Sequence, residues 1–202
     1  DVKPEDAAGH FAGFVFNYGY EKDWIENRFY ESNKLDGENS VGRSGISVNI
    51  HPAMIEVCVM TYNASTSTFS QIKYTHMLSE YIDSAFHKFV ATDDGSGNIR
   101  FALDGDVFAY VTYENPGLLP SSSTEYNERY YRTATIYDAN GTQKATTSDA
   151  LVSYVKSMAI GSRYRALNID NVYLGYSGAT KPSVSLSATT VKETQSLTAT
   201  VK

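Results

Sequence analysis

With 202 residues, 42% of them hydrophobic, the chain holds enough apolar material for one packed domain, or one domain with an appended piece. Its net charge of −6 at pH 7 leaves no electrostatic case for nucleic acid or an anionic membrane as a partner. No apolar run approaches the length of a spanning helix, and the single cysteine, Cys58, excludes an internal disulfide.

Period-two alternation dominates from the start. Residues Phe11 to Phe16 alternate, and Ile46, Val48 and Ile50 would share one face of a second strand. In the next, Ile55, Val57 and Val59 point inward with Glu56 opposite. Cys58 lies in this run and reads as a small buried hydrophobe rather than a nucleophile. Further strands are expected at Phe86–Thr92, Asn98–Leu103, Val107–Tyr113, Tyr130–Tyr137, Ser157–Gly161 and Leu167–Gly175. Turn chemistry bounds them at Asp93-Asp94-Gly95-Ser96-Gly97, Asp104-Gly105 and Asn140-Gly141. Helical signal is thin. Met77, Leu78, Tyr81 and Ile82 stand at helical spacing and suggest one short helix. The stretch from Thr147 to Met158 reads equally as a helix capped by Ser148 or Asp149 and as a strand. Many short strands with Gly, Asn and Asp turns predict an all-β, antiparallel sandwich with at most one or two short helices.

Asp104-Gly105 is the clearest hairpin signal, because both residue types tolerate positive φ. A two-residue turn pairs Phe101 with Phe108 and makes Phe108 and Tyr110 core. A three-residue loop pairs Phe101 with Ala109 and moves Phe108 and Tyr110 to the face of Arg100. The first is the commoner geometry and the expected one.

After Gly178 the chain changes character. Residues 179–202 lose their aromatics and become rich in Thr, Ser and Val, with alternating runs at Val184–Ala188 and Leu197–Val201. The expected division is a sandwich over 1–178 and a linker or truncated module over 179–202. The second segment resembles the opening of bacterial Ig-like domains; a strand docked on the main domain is the other reading.

Two stretches carry a wider resemblance. "FHKFVATDDGSGNIRFALDGDVFAYV", from Phe86, and "MAIGSRYRALNIDNVYLGY", from Met158, resemble the concanavalin and laminin-G-like jelly roll found in carbohydrate-binding modules of secreted bacterial proteins. The resemblance implies a jelly-roll sandwich that binds a polysaccharide, plant-type glycans foremost. It also implies a structural calcium at Asp170, the only cofactor it suggests; an exposed or hydrogen-bonded strand acid is the alternative.

A fold does not confer a function, so the chemistry rests on particular side chains. Glycoside hydrolysis needs two carboxylates about 5–9 Å apart, and the closest acid pairs, Asp93-Asp94 and Asp104-x-Asp106, fall in turns. The four histidines are dispersed, without paired metal spacing. "GRSGI" around Ser44 lacks the spacing of a nucleophile elbow, and no Gly-rich phosphate loop precedes a helix. No catalytic residue is assigned.

Aromatic–polar clusters remain. Trp24 lies with Tyr18, Tyr20, Tyr30 and Arg28 in a polar segment without strand period, and Tyr126, Tyr130 and Arg132 form a second cluster. Sugar rings stack apolar faces on such side chains while their hydroxyls take polar partners. The alternative is a set of rings closing the sandwich edge with polar tips in water. The expected function is a non-catalytic carbohydrate-binding module, extracellular or on the bacterial cell surface, joined to further modules of a larger secreted protein. A structural or adhesive domain that binds protein is second, and a glycoside hydrolase with an unrecognised carboxylate pair third.

Overall fold

The computed structural model describes residues 1–4, 12–19, 44–66, 68–118, 129–154, 157–162, 167–173, 184–186, 190–191 and 199–201. These form an all-β, antiparallel sandwich, and no helix occurs among them. One sheet has five strands in the order β12 (Met158–Ser162), β2 (Ala12–Phe16), β3 (Ile46–Ile50), β4 (Met54–Asn63), β5 (Thr68–Met77). The other has six: β10 (Gln143–Thr147), β9 (Arg129–Asp138), β8 (Asp106–Leu118), β7 (Asn98–Leu103) and β6 (Phe89–Asp93) in line, with β11 (Val152–Ser153) paired to β9. A third sheet joins β1 (Val2–Pro4), β13 (Leu167–Ile169) and β15 (Thr190–Val191), and β14 (Val184–Leu186) pairs with β16 (Ala199–Val201).

Alternation explains why these strands pair. Ile46, Val48 and Ile50 stand opposite Val59, Val57 and Ile55, and all six are buried in the common core. Across the next ladder Ile72, Tyr74 and His76 continue that face at the sheet's edge. Ile99, Phe101, Phe108, Val111 and Ile136 answer from the six-stranded sheet. An aromatic seam knits the layers: Phe14 stacks on Phe89 at 4.0 Å, Phe16 meets Phe101 at 5.5 Å, and His76 meets Phe108 at 6.0 Å. Full burial of a ring such as Phe101 contributes about 2–3 kcal/mol.

The hairpin turn is at Asp104 and Gly105, with φ of 52° and 98°. Leu103 pairs with Asp106 and Ala102 with Val107, the register of a two-residue loop. The register then shifts, so that Phe101 pairs with Ala109 and Arg100 with Tyr110. One extra residue on β8 makes a bulge there. Phe108 remains core as expected, but Tyr110 does not: it lies opposite the exposed Arg100 and is half-buried.

The proposed short helix after Thr75 is not formed. Strand β5 runs to Met77, and the following loop is held by Leu78 N–H to Ala53 O and Ile82 N–H to Pro52 O. Ile82 is buried while Tyr81 is 77% exposed, so the helically spaced apolar residues share no common face. The Thr147–Met158 ambiguity resolves within its described part to the short strand β11. Four strands went unanticipated: β1, β5, the polar edge strand β10 and β15. In the tail, the two alternating runs pair with each other, and Thr190–Val191 docks on β13.

Candidate functional site

Strand β2 ends at Phe16, and Asn17 turns the chain with a φ of 53°. Asn17 N–H donates to Ser157 O, and Ser153 N–H donates to Asn17 O. Ser157 Oγ accepts from Tyr18 N–H and donates to Tyr18 O, both at 2.9 Å. Gly19 N–H adds a bond to Ser44 Oγ at 2.9 Å. Through these bonds the start of the Trp24 segment is tied to residues 153–157.

Residues Val152 and Ser153 pair in turn with Tyr131 and Tyr130 of β9. The flanks of both aromatic–polar clusters therefore meet at one end of the sandwich, although they are more than 100 positions apart in sequence. Trp24, Tyr20, Tyr30, Arg28 and Tyr126 themselves lie outside the described residues.

A ladder of tyrosines occupies this end. Tyr113, buried, meets Tyr131 edge-on at 4.8 Å between ring centroids, and Tyr131 meets Tyr154 at 4.5 Å. Tyr154 is 38% exposed and carries the ladder to the surface. At the inner end Tyr113 donates its hydroxyl to Asp93 Oδ2 at 2.8 Å, and Asn17 Nδ2 approaches the same oxygen at 3.4 Å. Asp93 Oδ1 accepts Gly95 N–H at 2.8 Å. Burial, reinforced by the bond to Asp93, holds the Tyr113 phenol far above its ordinary range, so it stays a proton donor. This geometry fixes the ladder's base and leaves its outer ring to solvent.

The expected site residues divide. Tyr18 is half-buried beside Val15, Cys58 and Met60, anchored by Ser157 through its backbone. Tyr130 is fully buried with Tyr62 and Leu151, so its ring has no face for a ligand and belongs to the core. Arg132 is largely buried. Its Nη2 reaches Tyr62 O at 3.5 Å and Asp149 Oδ1 at 3.7 Å, and burial lowers its pKa despite that acid. Asp170 is exposed at the opposite end; its Oδ1 accepts Asn171 N–H at 2.7 Å, and its carbonyl accepts the amino terminus of Asp1 at 2.6 Å. Among the described residues no three His, Cys, Asp or Glu side chains gather as a metal site.

Asn17, Asp93, Tyr113, Asp149 and Tyr154 were not singled out as site residues from sequence. Asp93 falls in a turn signal, Asn17 just past the alternating run that ends at Phe16, and Tyr154 in the stretch that reads equally as helix or strand. Their shared location follows from β11, a two-residue strand with little signal of its own.

No protein-family model, curated protein or solved structure matches the chain.

Proposed function

We propose that this chain is a non-catalytic carbohydrate-binding module that attaches a larger secreted or cell-surface bacterial protein to a polysaccharide. The observation that carries the reading is the Tyr113–Tyr131–Tyr154 ladder, set where both aromatic–polar segments join the sandwich. A partly exposed ring at the end of a rigid stack offers a flat apolar face at small entropic cost, which is what a sugar ring requires. Calcium at Asp170 is a separate proposal; loss of melting temperature on chelation supports it, and an unchanged melt removes it.

The test is affinity electrophoresis of the chain through gels cast with neutral and acidic polysaccharides. Retardation by at least one glycan, without sugar release from it, is the expected result. Unchanged mobility in every gel overturns the reading, and sugar release moves the chain to the glycosidases.

A second reading, an adhesive domain that binds protein, is favoured by the exposed rings of Tyr81, Phe86 and Tyr173 away from the ladder.

A further inference from the structure

Arg132 stands out as an unbalanced charge. Its side chain is only 15% exposed, and its Nη1 is buried with no hydrogen-bond partner among the described residues. The contacts of Nη2, 3.5 Å to Tyr62 O and 3.7 Å to Asp149 Oδ1, are at or beyond the limit of a hydrogen bond. A guanidinium presents five N–H donors, and leaving them unmade in a desolvated place is costly. Asp149, in contrast, has its side chain 53% exposed and can turn into water cheaply. The pair is therefore a weak, replaceable ion pair on β9, on the side of the strand that faces Tyr62.

Resting on the carbohydrate-binding reading above, we infer that Arg132 is the receptor for a carboxylate of the glycan, so that the ligand is a uronic-acid-bearing polysaccharide. A planar carboxylate matches the guanidinium fork with two parallel N–H···O bonds, which Asp149 does not form at 3.7 Å. The ligand's carboxylate takes the place of Asp149's, and the displaced Asp149 returns to solvent. The chain's net charge of −6 works against a dense polyanion, which selects a glycan with carboxylates sparsely set on a neutral backbone.

The probes are glucuronoxylan and highly esterified pectin, each native and with its carboxylates chemically reduced to alcohols. The neutral glycans of the electrophoresis panel run alongside. Native acidic glycan should bind at least tenfold more tightly than its reduced form. Arg132→Gln should bring the native form down to the level of the reduced one, and Arg132→Lys should recover only part of the loss. Asp149→Asn should tighten binding of the native form several-fold and leave the reduced form unchanged, because it removes the competing carboxylate. Should Arg132→Gln fail to fold, the Asp149→Asn comparison decides alone. A merely structural Arg132 predicts instead that Asp149→Asn lowers the melting temperature and leaves binding as it was. Equal binding of native and reduced glycans, or binding to neutral glycans only, overturns the inference and leaves the carbohydrate reading standing. If no glycan of any kind is bound, the carbohydrate reading itself falls, and the inference with it.

Discussion

His87 Nδ1 lies 2.7 Å from Asp104 Oδ2, and its Nε2 lies 3.2 Å from Asp83 Oδ1. Both ring nitrogens face carboxylate oxygens, and only the imidazolium can donate to both. Burial lowers the imidazole pKa, but the bonds to Asp104 and Asp83 together outweigh it, and the net shift is upward. A pKa raised by folding adds stability that is complete below the unfolded value, about 6.5, and disappears as pH rises through the folded value. His87→Gln should therefore lower Tm by roughly 2–4 °C at pH 6 and by much less at pH 9. Thermal melts at the two pH values check this. Equal losses at both would mean that the ring only fills space.

On the acid side the sign is reversed. Glu56 sits 3.3 Å from His51 Nε2 and 2.7 Å from Lys73 Nζ. The close approach of the His51 imidazole, then the hydrogen bond from Lys73, carries its carboxyl down to about 2 against the penalty of burial. Its contribution, at most about 3 kcal/mol, is present above the unfolded pKa and lost as pH falls through the folded one. Glu56→Gln should be clearly less stable than the parent at pH 7, with the gap closing toward pH 2. Urea midpoints across that range measure it; a gap independent of pH would remove the electrostatic account.

Gly97 and Gly105 both have positive φ, 107° and 98°, but only one has crowded surroundings. A Cβ on Gly97 would stand 2.5 Å from Tyr113 O, while one on Gly105 would meet nothing within 4 Å. Gly105→Ala should cost about 1 kcal/mol from conformation alone, and Gly105→Val more, since branching at Cβ resists that φ. Gly97→Ala should cost at least about 2 kcal/mol, because strain is joined by a backbone clash. Chemical denaturation orders the variants. A Gly105→Ala loss exceeding that of Gly97→Ala would refute the steric argument.

The strands whose core residues alternate were legible from sequence, because burial on one face alone produces that pattern: Ile46, Val48 and Ile50, or Ile99 and Phe101. The bulge on β8 was not. It adds one residue beyond a turn whose own chemistry is normal, so Phe108 stays in the core while Tyr110 lands opposite Arg100. Strand β5 was hidden for a different reason. It is an edge strand with polar residues on both faces, and its C-terminal end mimics helical spacing through Met77, Leu78, Tyr81 and Ile82. Aromatic richness marked the two candidate clusters in the sequence. Their meeting did not show, since it depends on hydrogen bonds between Asn17 and Tyr18 on one side and Ser153 and Ser157 on the other.

Exposure and contact separate the tyrosines into distinct experimental classes. Tyr154 is partly exposed and touches Tyr131 at 4.5 Å, so removing its ring should cost the fold little. A stacked sugar gains on the order of 1 kcal/mol from such a ring, and Tyr154→Ala should weaken glycan binding by about fivefold. Tyr130 is its internal contrast. With 0% exposure beside Tyr62 and Leu151, Tyr130→Ala should destabilise the domain by about 3–5 kcal/mol. Tyr81, 77% exposed near the far end of the β6–β7 hairpin, supplies the surface control, and Tyr81→Ala should change neither stability nor binding. Trp24→Ala belongs to the same series and should weaken binding by roughly tenfold. Isothermal titration with the glycan retarded most strongly, paired with thermal melts, reads all four variants. Were Tyr81→Ala to abolish binding while Tyr154→Ala and Trp24→Ala left it intact, the ligand would sit at the His87 end, and the ladder would be packing alone.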